Sequence, residues 1–144
     1  EEDISLSSSG TSAIKRKVQG DQDDAASVVG GVVQMHIDTV LELIFDSSKH
    51  AIKIRAASTS LLGALLRQGL VNPLHVLPYV IALLGSMEET IRNEALQLIL
   101  VEDEKHADFL KIRVLEGMCI TFEFQRRIYG EAKALLNEGG GGGI

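Results

Sequence analysis

Apolar residues recur at helical spacing through the middle of this chain, and that spacing constrains the fold more than any other feature. Between residues 31 and 136 the apolar positions fall three or four residues apart, which places them on one face of a helix. Four such stripes can be traced, and they begin at Val33, Ile52, Leu74 and Ile91. The sequence holds no alternating strand pattern of any length. The chain is therefore predicted to be all-α.

The breaks between the stripes carry residues that end or begin helices. Gly69 is suited to the left-handed position that closes a helix, and Asn72-Pro73 supplies an N-cap followed by proline at the first helical position. Glu88-Glu89 suits the positive N-terminus of the fourth helix. These breaks predict two helix pairs, and a fifth stripe over residues 106–129 predicts a further long helix.

The two helix pairs repeat. A shift of 39 residues superimposes the first pair on the second. Three positions then coincide in each second helix: Ile52 with Ile91, Lys53 with Arg92, and Ala56 with Ala95. This period is similar to that of HEAT repeats, where a basic residue at this point pairs with a turn residue and its apolar neighbour packs between helices. The resemblance implies structural roles for all six residues and predicts a HEAT-repeat α-solenoid fragment.

Three segments are predicted along the chain. Residues 1–30 are expected to form a disordered, acidic and serine-rich linker, because their apolar residues show no period. Its triplet Lys15-Arg16-Lys17 is a weak match to a nuclear import signal. Residues 31–136 form the repeat segment, and residues 137–144 form a flexible glycine-rich tail. Because a solenoid needs about three repeats to be stable, we expect a piece of a longer array.

Composition excludes several classes of protein. With 20 acidic and 14 basic side chains, the net charge of −6 argues against an ordinary basic nucleic-acid module. Cys119 is the only cysteine, which excludes a disulfide scaffold, and its apolar neighbours predict a buried thiol. The apolar stretch Val71–Leu84 is too short and too polar to cross a membrane, so no spanning segment is expected.

No residue pattern points to catalysis, a cofactor or a metal. His36 and His75 share a repeat phase, but the sequence has no His-Glu dipeptide of the kind that some helical-repeat enzymes use to hold iron. It also lacks a nucleophile elbow and a phosphate-binding loop. Glu102-Asp103-Glu104 is expected to be a solvated cluster in an exposed loop. The chain is therefore predicted not to be an enzyme.

An ordered series of short motifs resembles one particular family. It runs from Gln68 to Met118, within a match over about residues 32–129. The matching positions are Gly69, Pro73, Pro78, Tyr79, Asn93, Phe109, Gly117 and Met118. The series resembles the C-terminal HEAT region of the Nipped-B/adherin family, the large subunit of the cohesin loader. The turn Gly85-Ser86-Met87 departs from the family, which often has Thr-Asp there.

The resemblance implies a scaffold that acts in the nucleus on chromatin. The family forms a hook-shaped solenoid that loads cohesin and stimulates the ATPase of cohesin. Its partners are the cohesin ATPase heads, the kleisin subunit, a smaller loader subunit and DNA. The matched positions look architectural, so no contact is assigned to any of them. Two alternatives stay open: another HEAT or armadillo-type scaffold, in transport or a phosphatase, and a helical-repeat enzyme such as a hydroxylase or a DNA glycosylase.

Overall fold

A computed structural model describes residues 9–138 of the chain. They form five α-helices: α1 (Ser9–Glu42), α2 (Ala51–Arg67), α3 (Pro73–Leu83), α4 (Glu89–Lys105) and α5 (Phe109–Glu138). A short 3₁₀ turn, Leu43–Phe45, continues α1. Residues 9–138 contain no strand. The predicted all-α class, with two helix pairs and one further long helix, is confirmed.

At residues 9–30 the structure differs from the predicted linker, because α1 already begins at Ser9. The sequence offers a reason. Residues 9–42 contain no proline, so nothing forces the helix to end. Apolar periodicity reports packing rather than helicity, and Val28 and Val29 in α1 are 67% and 50% exposed. Residues 1–8 and 139–144 lie outside the described part. The division into linker, repeat segment and tail stays a prediction.

The turn between the pairs follows local rules. Gly69 has a φ of +67°, the left-handed conformation that glycine adopts without strain. The Leu70 N–H donates to the Leu65 carbonyl at 3.0 Å, and the Gly69 N–H donates to the Leu66 carbonyl at 3.1 Å, which is the Schellman pattern. The Asn72 side chain caps α3 by accepting from the Leu74 N–H at 3.0 Å. The predictions for this turn are confirmed.

Helix α3 lies at the centre of the fold, where it packs against both α4 and α5. All five helices contribute side chains to one apolar core. Its most deeply buried members are Ile37, Leu41, Ile44, Leu62, Val76, Val80, Leu83, Ile91, Ala95 and Phe124. Burying such side chains stabilises a fold by about 1.5–3 kcal/mol each, before entropy is counted. The core therefore holds the two pairs and α5 together.

One described segment, Ser27–Phe45, is long and apolar enough to cross a membrane by length and composition. No spanning segment was expected from the sequence. Its C-terminal half supplies the core residues Ile37, Leu41 and Ile44, which are at most 1% exposed. Core helices pass the same test of length and composition, so this segment supports no assignment to a membrane.

Candidate interaction surfaces and the turn cluster

A buried arginine organises the edge of the molecule where the turns within the helix pairs lie. Arg55 is 1% exposed. Its Nε donates to the Ile44 carbonyl at 3.0 Å, and its Nη2 donates to the Asp46 carbonyl at 3.2 Å. Its Nη1 reaches Oε2 of Glu88 at 3.4 Å. Arg55 thus joins the turn of the first pair to the turn of the second.

Glu88 is held as a carboxylate by its surroundings. Burial alone would raise its pKa, but hydrogen bonds from the Ser86 hydroxyl and its own backbone N–H, together with the positive charge of Arg55, outweigh that effect and lower the pKa. Arg92 completes the second turn, because its Nη1 donates to the carbonyls of Ser86 at 2.9 Å and Met87 at 2.7 Å. Together these residues, Arg55, Ser86, Glu88 and Arg92, form what we call the turn cluster.

The structure corrects the predicted register of the second helices. Ile91 and Ala95 are buried, and Arg92 contacts its turn. Ile52, however, is 57% exposed, Lys53 is exposed, and Ala56 is half-buried. The expectations that Ile52 packs between helices and that Lys53 pairs with a turn residue are wrong.

The burial patterns of α2 and α4 superimpose at a shift of 36 residues rather than 39. Arg55 then coincides with Ile91, Thr59 with Ala95, and Leu62 with Leu98. The 39-residue shift holds for the first helices, where Ile37, Leu41 and Ile44 coincide with Val76, Val80 and Leu83. The role assigned to Lys53 therefore belongs to Arg55. Arg55 was missed because a charged side chain was not expected inside an apolar stripe.

Two of the family-motif positions shape the contact between α3 and α5. Pro78 is buried inside α3 and has no N–H to donate to the Leu74 carbonyl, four residues earlier. The Nε of Arg113 on α5 fills this gap by donating to the Leu74 carbonyl at 2.6 Å. Gly117 lies so close to Ile81 that a Cβ would sit 2.7 Å from the Ile81 Cδ1. Glycine is therefore required there by packing.

The remaining motif positions divide between buried and exposed sites. Tyr79 packs edge-on against Phe45, with ring centroids 6.2 Å apart. Burial, and then the negative charges of Glu42, Asp38 and Glu116, raise the pKa of Tyr79. Phe109 stacks on His106 at 4.6 Å. Asn93 and Met118 are exposed, so the structure gives them no packing role.

Helix α5 presents an apolar face away from the core. At about 100° per residue, positions 112, 115, 119 and 122 lie within roughly 40° of the direction opposite Gly117. Ile112 is 65% exposed, and Leu115 and Phe122 are each 71% exposed. Cys119 lies on the same face and is exposed. The prediction of a buried thiol is therefore wrong, because this side of α5 has no neighbour in the described fold.

A second apolar surface lies at the other end of the molecule, between α1 and α2. It is a groove of about 220 Å³. The groove is lined by Val32, Val33, His36, Ile37, Val40, Leu61 and Leu65. The two end faces of the described helices are thus apolar.

The titratable side chains make structural pairs. His75 Nε2 lies 2.8 Å from Oδ1 of Asp38. Among the residues whose side chains the structure describes, no group of three or more His, Cys, Asp or Glu could hold a metal ion. Glu102 lies in α4, is 3% exposed and pairs with Lys105 at 3.2 Å. The expectation of an exposed acidic loop is therefore wrong for Glu102.

Comparison with known proteins decides the family. Residues 29–140 match the family described as the sister chromatid cohesion C-terminus. The chain belongs to this family. The match covers most of the described helices, so it confirms the resemblance to the Nipped-B family.

Individual relatives agree with the family. The chain is 26% identical over 114 residues to Nipped-B-like protein A of Danio rerio, which is 79% of this chain and 5% of that protein. It is 27% identical over 106 residues to Nipped-B-like protein of Homo sapiens, 74% of this chain and 4% of that protein. Nipped-B protein of Drosophila melanogaster is 23% identical over 104 residues, 72% of this chain and 5% of that protein. The chain thus spans about a twentieth of the length of these relatives.

Proposed function

We propose that this chain is a non-catalytic segment of the HEAT scaffold that loads cohesin onto chromatin. It acts in the nucleus, on chromatin, through protein contacts. The partners are the cohesin ATPase heads, the kleisin subunit and the smaller loader subunit, with DNA as a further partner. The scaffold stimulates an ATPase whose active site belongs to cohesin.

One observation carries this proposal: the match to the sister chromatid cohesion family extends over residues 29–140, from the apolar part of α1 to the end of α5. The relatives named Nipped-B-like match 114 and 106 residues of the chain. A non-catalytic role is supported by the use of the polar groups. Arg55, Arg92 and Arg113 each donate to backbone carbonyls, so these side chains serve the packing of the helices and turns.

The test uses the full-length parent protein. It is isolated from nuclear extract with and without residues 29–140, and the bound proteins are identified by mass spectrometry. Chromatin-bound cohesin is measured in cells that express each form. The cohesin ATPase subunits, kleisin and the smaller loader subunit are expected to co-purify with the intact parent. Deletion of residues 29–140 is expected to lower chromatin-bound cohesin.

Limited proteolysis of both parent forms is the control, because deletion must not unfold the remaining scaffold. A preparation that lacks all cohesin subunits but contains transport or phosphatase subunits would contradict the loading function. It would instead support the general scaffold. Unchanged chromatin-bound cohesin after deletion would show that this segment is dispensable for loading.

A further inference from the structure

The C-terminal half of α5 extends well beyond the helix it packs on. α3 has 11 residues and α5 has 30. The two helices meet at Ile81 and Gly117, and α3 has ended by the point where Thr121 of α5 passes within van der Waals reach of Gly85. The residues that follow on α5 lie beyond the last residue of α3, Leu83, and we call residues 124–129 the strap.

The strap crosses the turns of both helix pairs. In the second pair, the Met87 N–H donates to the Tyr129 hydroxyl at 2.7 Å. In the first pair, the ring of Phe124 lies 6.0 Å from the ring of Phe45, and the guanidinium of Arg55 lies 5.2 Å from the centre of the Phe124 ring.

A second strap residue also reaches the first pair. The guanidinium of Arg127 lies 4.9 Å over the Phe45 ring, and its Nη1 lies 3.4 Å from the Glu42 carboxylate. Phe124 is fully buried, so this is a packed interface and not a surface contact. Three aromatic or cation–π contacts and one ion pair thus join α5 to the first helix pair.

These contacts skip a repeat. In an ordinary solenoid each repeat contacts only its neighbours, so its stability is a sum of repeat and nearest-neighbour contributions and the array can bend between repeats. Here the third unit, α5, contacts the first pair directly. We propose that the strap locks the two helix pairs and α5 into one cooperative, rigid block. The scaffold then bends outside this block and not between its repeats.

The test is native-state hydrogen exchange on the 144-residue chain with the variant Phe124→Leu. Leucine keeps most of the buried volume and removes the aromatic and cation–π contacts. The amides of Leu62 and Leu66 in α2 are monitored together with those of Leu98 and Ile99 in α4. Exchange is expected to become about threefold to tenfold faster in both helices by the same factor.

Phe122→Leu is the matched control, because Phe122 is on the same helix but 71% exposed. It is expected to leave exchange in α2 and α4 unchanged. A second measurement is a double-mutant cycle between Phe45→Leu and Phe124→Leu, which should be non-additive by about threefold or more in the unfolding equilibrium constant.

Exchange that accelerates only in α5, α3 and α4, with α2 unchanged, would overturn the proposal. It is the result expected if α5 stabilises only the neighbouring helix pair. Unchanged exchange in all helices would overturn the proposal as well. Equal loss of protection in α2 and α4, in a chain that stays folded, supports the block, and additive effects in the double-mutant cycle would overturn it.

Discussion

The two faces of α5 carry similar residues, but one face is buried and the other is exposed. Phe124 is fully buried against the first helix pair, while Phe122, two residues earlier, is 71% exposed. A Cβ added at Gly117, on the inner face, would clash with Ile81. A Cβ added at Gly130 would meet no described side chain within 4 Å. Residue type therefore does not decide burial on this helix. The position of a neighbouring element does.

The largest expected difference between the faces is at the phenylalanines. Phe124→Ala should lower the free energy of unfolding by about 3–5 kcal/mol, because it removes a filled core position and leaves a cavity. Phe122→Ala should change it by less than about 0.5 kcal/mol, as exposed substitutions do. Urea unfolding of the 144-residue chain measures both. Equal losses would mean that the outer face is covered in solution.

Replacing each of the two glycines by alanine should change the free energy of unfolding in opposite directions. Gly117→Ala forces a methyl group against Ile81, and overpacking of this kind should cost about 1–3 kcal/mol. Gly130→Ala has open space on a helix and should stabilise the chain by about 0.5–1 kcal/mol. Thermal unfolding compares them. A stabilising Gly117→Ala would show that α3 and α5 are separated more widely than the structure places them.

The hydrogen bond from Arg113 to the Leu74 carbonyl, which Pro78 leaves without a helix donor, can be tested by mutation. Arg113→Met removes the donor that satisfies the Leu74 carbonyl, which should cost about 1–3 kcal/mol. Lys111→Met is the control, because Lys111 is exposed and pairs only with Asp108, a surface contact worth at most about 1 kcal/mol. Pro78→Ala supplies a backbone N–H that can donate to the Leu74 carbonyl in place of Arg113. In that background, urea unfolding should show no difference between Arg113→Met and Lys111→Met.

The smallest effect is a pH dependence at the turn cluster. The pKa of Glu88 is lowered in the folded chain, so its carboxylate stabilises the fold above its unfolded pKa, and this contribution is lost as the pH falls through the folded pKa. The stability gap between the native chain and Glu88→Gln should therefore be full at pH 7 and shrink in acid. Urea unfolding from pH 7 to pH 3 checks it. A gap that grows in acid would contradict the assignment.

The pH test also separates the two side-chain contacts of Arg55. Its Nη1 lies 3.4 Å from Oε2 of Glu88, and its guanidinium lies 5.2 Å from the centre of the Phe124 ring. In a Phe124→Leu background the pH dependence should persist, because the ion pair is retained. Its disappearance would mean that the strap is needed to position Arg55 for Glu88.

Much of the helical framework could be predicted from local sequence. Gly69, Asn72 and Pro73 fix their turn through backbone conformation, a side-chain cap and a ring, none of which needs a distant partner. The apolar stripes of α3 and α4 likewise predicted Leu77, Val80, Ile91 and Ala95 in the core. The family motifs identified Gly117 as special without saying why.

The wrong predictions for α2 concern which of its side chains are buried against other helices. Ile52 and Lys53 were given structural roles because one shift of 39 residues was applied to both helices of each pair. The buried positions of α2 coincide with those of α4 at a shift of 36 residues instead, and Arg55 takes the role assigned to Lys53. The signal was present, since Arg55, Ser58 and Leu62 share one helix face. A charged residue on that face is buried only because two backbone carbonyls, Glu88 and the Phe124 ring converge on it.

The sequence by itself determined where the helices break, the all-α class and the family, because capping, glycine and proline conformations and apolar periodicity act over a few residues. Only the tertiary structure decided which face of α5 is buried, which basic residue closes the turns, and that α5 reaches past its neighbour to the first pair. Periodicity places a residue on one side of its own helix. It does not say which other helix, if any, lies on that side.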